Sequence, residues 1–238
     1  MPVPRKLVLA FVLCGLASLA QYNRAAGQLL ITQVYGGGGS SSASSTYQRD
    51  YVELYNAGST PASLSGLSLQ YGSASGSAIA TVFALDATAT GAPGARYTLV
   101  TGTAGTGGAA NPDPTGTGLG ATNGTLNLAA TAGKVALVNG TTAISPVTGS
   151  VSGANILDFV GYGNANGFEG AGPAPTLTAS TADYRTFAAG VPVDTNNNNA
   201  DFTALDAVQA PVPEPATVLA AATAGLGLAG FARRRFRG

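Results

Sequence analysis

The sequence predicts an all-β protein, an immunoglobulin-like antiparallel β-sandwich with an N-terminal signal helix and a short C-terminal transmembrane helix. Three observations predict the sandwich. Seven short runs are rich in β-branched, aromatic and aliphatic residues, Gly, Pro, Asn and Ser separate these runs, and no helical periodicity appears between the two ends of the chain. Many short strands with frequent turns are typical of two packed antiparallel sheets.

The strands are predicted in order along the chain. They cover residues 29–35, 51–55, 64–71, 79–85, 96–100, 134–138 and 156–160. Turn residues lie between them, and the pair Asn139 and Gly140 suits a tight hairpin. Residues 36–39 are four consecutive glycines, which we predict to be a flexible loop, because the Gly-Lys-Ser/Thr of a phosphate-binding loop is missing.

The first 27 residues have the pattern of a signal peptide. Arg5 and Lys6 precede an apolar run over residues 7–20, and small residues allow cleavage after Ala20 or after Gly27. The only cysteine of the chain lies inside this segment. We therefore expect an exported protein whose domain, residues 28–210, folds without disulfide bonds.

The last segment, residues 211–238, has a membrane-anchor pattern. An uncharged run over residues 216–232 is just long enough for a transmembrane helix. Four basic residues follow this run and are expected to hold the C-terminus in the cytoplasm: Arg233, Arg234, Arg235 and Arg237. Together with Pro213, Glu214 and Pro215 before the run, this order resembles a PEP-CTERM sorting signal. The resemblance implies processing by an exosortase, besides signal peptidase, in a Gram-negative bacterium. It also implies transient anchoring in the inner membrane and a final location at the cell surface or in the extracellular polysaccharide matrix.

Charge and composition limit the function of the domain. The whole chain has a net charge of zero, but residues 28–212 contain four basic and ten acidic residues, a net charge of minus six. A negative domain opposes binding to nucleic acid. The chain has no histidine, which excludes Ser-His-Asp and Cys-His catalysis and His-ligated metals.

Several sequence blocks in the domain resemble, in the same order, the bacterial branch of the lamin tail domain. They are LITQVYGGGG at 30–39, DYVELYN at 50–56, SLSGLSLQY at 63–71, PGARYTLV at 93–100, AGKVALVN at 132–139, DFVGYG at 158–163 and DTNNNNADF at 194–202. The resemblance implies an immunoglobulin-like sandwich of an exported protein. Leu67 stands where many relatives have Trp, and we expect no nuclease or phosphatase domain beside the sandwich.

Two groups of polar residues are candidate sites. The Asn/Asp-rich segment 194–201 offers oxygen ligands for Ca²⁺, with Asp194, Asn196, Asn198 and Asp201 as the candidates, and its alternative role is that of a turn that bonds its own backbone. Asp50 and Glu53 are three residues apart on a strand, so we expect them to face opposite sides rather than form a catalytic pair. Tyr162 and Phe168 are candidates for stacking on sugar rings, with packing as the alternative.

The sequence leads to three functional hypotheses. The first is an exported, non-catalytic surface or matrix protein that acts as an interaction module, without a cofactor. The second is a calcium-dependent carbohydrate-binding or adhesive module. The third, an extracellular enzyme, is the one that the composition supports least.

Overall fold

The protein is described by a computed structural model, which covers residues 28–111, 119–122 and 126–207. The predicted signal peptide and the predicted sorting segment 211–238 lie outside these described residues. The described chain is almost entirely β-structure, so the predicted all-β class is confirmed. Among the described residues no helix is long and apolar enough to span a membrane.

A six-stranded sheet forms one layer of the fold. Its strands, from one edge to the other, are β16 (Phe202–Asp206), β13 (Thr181–Arg185), β1 (Leu29–Tyr35), β2 (Asp50–Asn56), β7 (Arg96–Thr101) and β8 (Leu119–Thr122). All neighbours are antiparallel except β7 and β8, which pair in parallel. This sheet carries the first, second and fifth predicted strands, whereas β8, β13 and β16 were not predicted.

A four-stranded antiparallel sheet forms the second layer. Its order is β11 (Ile156–Tyr162), β9 (Gly133–Asn139), β4 (Leu67–Ser73) and β5 (Thr81–Ala84). The sequence predicted all four, although β4 begins three residues later than expected because residues 64–66 form a turn that Gly66 closes with a positive φ of 77°.

Short elements join or border the two sheets. The strands are the antiparallel pairs β3 (Ala62–Ser63) with β6 (Thr90–Gly91) and β14 (Phe187–Ala188) with β15 (Val191–Pro192), and the parallel pair β10 (Gly149–Ser150) with β12 (Gly167–Phe168). One four-residue helix, α1 (Asn198–Asp201), precedes β16.

The two sheets pack face to face through one apolar core. The six-stranded sheet contributes Ile31, Val52 and Leu54, and the four-stranded sheet contributes Leu69 and Leu137, all of which are buried. The alternation along each strand directs these side chains inward. The predicted antiparallel sandwich is therefore the observed architecture.

Gly36, Gly37 and Gly38 are packed, contrary to the predicted flexible loop, whereas Gly39 is exposed. A Cβ atom added at Gly37 would lie 2.3 Å from the carbonyl oxygen of Ala179, and one at Gly38 would lie 2.1 Å from the carbonyl carbon of Arg49. The amide of Gly38 donates to Asp50 Oδ1 at 2.8 Å. These positions require glycine because the backbone of a neighbouring segment leaves no room for a side chain.

Candidate functional site

The strongest concentration of charge in the described chain is a buried ionic cluster, which consists of Arg185, Asp158, Asp194, Asp201 and Glu169. Arg185 ends β13, and its side chain is fully buried. Its Nη2 atom donates to both carboxylate oxygens of Asp158 on β11, at 2.8 and 2.7 Å. Arg185 thus joins an inner strand of the six-stranded sheet to the edge strand of the other sheet.

The other nitrogens of the guanidinium also have acceptors. Nε donates to the carbonyl oxygen of Ile31 on β1 at 2.8 Å, and Nη1 donates to the carbonyl oxygen of Val193 and to Asp194 Oδ1, both at 3.2 Å. Asp201 Oδ2 lies 3.5 Å from the same Nη1. The planar guanidinium therefore contacts both sheets and the segment after β15 at once.

The charges of the cluster are strongly coupled. Burial raises the pKa of Asp158 to about 6, a rise that Arg185 limits, so this carboxylate is ionised at neutral pH. Burial and the charges of Asp158 and Asp194 raise the pKa of Glu169 to about 9, so Glu169 holds a proton there. Burial alone would lower the pKa of Arg185, but the surrounding carboxylates raise it. The guanidinium is therefore the permanent positive charge at the centre.

Asp201, one of the four candidate calcium ligands, accepts hydrogen bonds from residues of its own loop. Its carboxylate accepts the backbone N–H and the hydroxyl of Thr195, at 2.9 and 2.7 Å, and the N–H of Asn197 at 3.4 Å. Both of its oxygens are thus engaged, as in the turn interpretation of this segment.

Asn198 is fully buried and binds backbone groups of β11 and of Glu169, which follows β12. Its Oδ1 accepts the N–H groups of Gly161 and Glu169, both at 3.0 Å, and its Nδ2 donates to the carbonyl oxygen of Phe159 at 2.8 Å. This amide takes the place of a neighbouring strand along the exposed edge of β11.

Asp194 and Asn196 complete the candidate set, and they differ in environment. Asp194 Oδ1 accepts from Arg185 and from the backbone N–H of Asn196, at 3.2 Å each. Asn196 is exposed and has a positive φ of 52°. The structure therefore brings Asp194 and Asp201 to Arg185, while Asn198 faces β11 and Asn196 faces solvent.

A cation would meet a different set of carboxylates. One oxygen each from Asp158, Glu169 and Asp194 lie within 4.8 Å of one another. However, Arg185 already donates to both oxygens of Asp158 and to one oxygen of Asp194. Calcium requires six to eight free oxygen ligands, so these residues do not fit it while the guanidinium is in place.

We accordingly expect calcium to have no effect on the intact domain. Addition of millimolar CaCl₂ or of EDTA to the exported protein should leave its melting temperature unchanged, because Arg185 supplies the positive charge that calcium would bring. Differential scanning fluorimetry and titration calorimetry measure this directly. A saturable heat together with a melting temperature that falls on chelation would contradict it and would restore the calcium hypothesis.

Asp50 and Glu53 have no partner in common. Asp50 accepts the N–H groups of Gly38 and Leu128, both at 2.8 Å, and burial raises its pKa to about 7. Glu53 forms an ion pair with Arg96 and accepts the hydroxyl of Thr32 at 2.7 Å. The two carboxylates are engaged in separate structural contacts, as the strand alternation predicted.

The aromatic candidates for sugar stacking also differ from one another. Tyr162 is fully buried, and its hydroxyl donates to the carbonyl oxygen of Ala129 at 2.8 Å. Phe168 is half-buried. Tyr162 is therefore a core residue, so its ring cannot present a face to a sugar.

Sequence reasoning missed three members of the ionic cluster. Asp158 gave a signal, because it interrupts an otherwise apolar strand. The sequence around Arg185 and Glu169 did not indicate that these residues are buried. A single charged residue among polar neighbours is usually exposed. Nothing in the spacing of 158, 169 and 185 indicates that they meet.

Comparison with known families agrees with this architecture. The Lamin Tail Domain family model matches residues 23–163, which is more than half of the chain. The chain belongs to the Lamin Tail Domain family. The matched part of this lamin tail domain protein ends directly after β11, so β13, β16 and Arg185 follow it in sequence. The ionic cluster thus connects the matched part to the chain that completes the six-stranded sheet.

A second match lies at the C-terminal end. The PEP-CTERM protein-sorting motif matches residues 211–235, which confirms the sorting signal predicted from Pro213, Glu214 and Pro215. The motif begins four residues after the last described residue, Ala207. Comparison with curated proteins finds no match to this chain.

Proposed function

We propose that this lamin tail domain protein is a non-catalytic surface or matrix protein whose β-sandwich serves as an interaction module. The single observation that carries the proposal is the order of its parts, a lamin tail domain followed along the chain by a PEP-CTERM motif. The motif implies an exported protein at the surface of a Gram-negative bacterium. In the proposal an exosortase recognises the motif, and the apolar run after it anchors the protein in the inner membrane until processing.

The sorting step has a direct test. Replacement of Pro213, Glu214 and Pro215 by alanine should leave the protein in the membrane fraction at its unprocessed mass, because the processing enzyme no longer recognises it. Pro211→Ala is the matched control and should be released as the native protein is. Fractionation with immunoblotting and intact mass gives the result, and normal release of the triple variant would overturn the sorting part of the proposal.

The non-catalytic part rests on the contacts of the candidate acids. Asp50, Glu53 and Asp158 each accept hydrogen bonds from nearby protein groups, so none presents a free base to a substrate. The purified protein should therefore hydrolyse neither nucleic acid nor phosphate esters. Turnover that disappears in a Glu53→Gln variant with an unchanged melting temperature would show an enzyme instead.

A further inference from the structure

The folded domain releases the chain toward the sorting motif at a defined place. Ala207, the last described residue, is buried directly after β16. Its N–H donates to the carbonyl oxygen of Ser180 at 2.8 Å. The same carbonyl oxygen accepts the hydroxyl of Thr46 at 3.1 Å. The position of Ala207 is therefore fixed against a loop of the sandwich, and residues 208–215 start from that point.

Two loops, residues 36–49 and 102–111, lie at the same end of the sandwich as Ala207. They follow β1 and β7, which run in the same direction as β16, because β1 and β16 are both antiparallel to β13 and β1 and β7 are both antiparallel to β2. The N–H of Ala109 donates to the carbonyl oxygen of Thr46 at 2.9 Å, and its carbonyl oxygen accepts the N–H of Gln48 at 2.8 Å. We call these two loops together with Ala207 the exit end.

The exit end carries little charge, although the domain as a whole is acidic. Arg49 is the charged residue of the two loops, and its Nη1 donates to the carbonyl oxygen of Gly102. Residues 41–44, at the tip of the first loop, are exposed serine and alanine. Asp206 is the exposed carboxylate that the described chain places beside Ala207. An anionic lipid surface strongly repels only a surface with many carboxylates, so the exit end can approach one.

Few residues separate Ala207 from the proposed membrane anchor. Eight residues, 208–215, lie between it and the apolar run 216–232. Eight residues span at most about 26–29 Å when fully extended, and a random coil of that length averages about 14–17 Å. The opposite end of the sandwich, where β2 ends at Asn56, lies one seven-residue strand away, or about 23 Å. The opposite end can therefore reach the membrane only if the tether is almost fully extended along the domain.

We propose that the exit end is the surface that the anchored protein holds against the membrane, and that its partner is the phospholipid headgroup layer. The proposal deepens the sorting part of the proposed function and rests on the anchoring step in it. The short tether sets this orientation, so no lipid-binding pocket is required. The opposite end, with loop 57–61 and the β14–β15 hairpin, then faces away from the membrane before processing.

Fluorescence energy transfer to a labelled lipid tests the orientation. The full chain, produced in a host without exosortase, is reconstituted in vesicles of phosphatidylethanolamine and phosphatidylglycerol that contain a rhodamine lipid as acceptor. Cys14→Ser removes the only native thiol, so Ser42→Cys and Ser59→Cys each carry a single donor dye. Both serines are exposed, Ser42 at the exit end and Ser59 at the opposite end. We expect transfer to be at least about twofold more efficient from Ser42→Cys, because one strand length separates the two ends.

Insertion of about twenty Gly and Ser residues after Ala207 is the matched control, and the difference between the two labels should then disappear because the long tether lets either end approach. Vesicle flotation measures anchoring separately. Protein that does not float with the vesicles would overturn the anchoring step of the proposed function and this inference with it. Floating protein with equal transfer from both labels, or with more from Ser59→Cys, would overturn the inference alone. So would a difference that persists after the insertion, because the tether would then not be its cause.

Discussion

Arg185→Met should destabilise the domain by about 3–5 kcal/mol, the cost typical of the removal of one partner from a buried ion pair. The variant leaves both oxygens of Asp158 without the Nη2 donor of Arg185 in a fully buried site and leaves the carbonyl oxygen of Ile31 without its donor. Since domains of this kind are stable by about 5–15 kcal/mol, this loss is a large fraction of the total. Urea unfolding at pH 7, followed by circular dichroism, measures it.

Two further variants separate charge from geometry. Arg185→Lys keeps the positive charge but lacks the planar fork, so we expect a loss between that of Arg185→Met and zero. Arg49→Met is the control, because Arg49 is half-buried and donates to the carbonyl oxygen of Gly102, and it should cost about 1 kcal/mol. A loss below 1 kcal/mol for Arg185→Met would contradict the interpretation of the cluster as the link between the two sheets.

Removal of the Arg185 guanidinium should also change the local order of β13 and β16. The family match ends at residue 163, and β13 and β16 come from the chain after it. Arg185 ties β13 to β1 and β11, which both lie within the match. Loss of the guanidinium should therefore loosen β13 and β16 first, and hydrogen exchange should be fastest in residues 181–206 of Arg185→Met.

The sequence predicted most of the sandwich, because a regular alternation of apolar residues is enough to predict a strand. β1, β2 and β7 were predicted to within one residue at each end. β13 was not predicted, because Thr181–Arg185 has no aliphatic residue larger than alanine, and its place is fixed by pairing on both sides. Such a strand depends on its neighbours more than on its own propensity.

The candidate site shows the limit of local patterns more clearly. The sequence identified the segment 194–201 as rich in oxygen ligands, and the turn alternative describes Asp201, whereas Asn198 bonds β11 instead. The spacing of these residues could not show that Arg185 donates to Asp194 and lies beside Asp201. Arg185 reaches Asp158 across 27 residues and reaches the Ile31 carbonyl across 154, and contacts of this kind arise from the fold alone.

We expect the free energy of unfolding to fall as the pH rises, because of the buried carboxyl group of Asp183. It lies on β13 opposite Val34 and Ala204, both on the core side of their strands. It is completely buried, and neither carboxylate oxygen has a hydrogen-bond partner in the described part of the chain. Burial raises the pKa of Asp183 from 3.8 to about 8. The folded protein therefore holds a proton that the unfolded chain releases.

The sign of the effect follows from this difference in proton binding. Below about pH 4 both states are protonated, and the contribution of the buried carboxyl group to stability is fully present. Between about pH 4 and pH 8 the unfolded chain is ionised and the folded one is not, so stability falls by up to about 1.4 kcal/mol per pH unit. Above about pH 8 the group ionises in the folded state too, and the loss stops growing.

Asp183→Asn removes the titration while it keeps the shape of the side chain. We expect the free energy of unfolding of the variant to exceed that of the native protein by a margin that widens from pH 5 to pH 8. Asp50 and Glu169, whose pKa values burial also raises, remain in both proteins, so the difference between the two curves isolates Asp183. Asp206→Asn on the neighbouring β16 is exposed and should follow the native curve. Parallel curves for Asp183→Asn and the native protein would mean that Asp183 is already ionised in the fold, and a buried charge without a partner would then have to be stabilised by water or by a cation in the core.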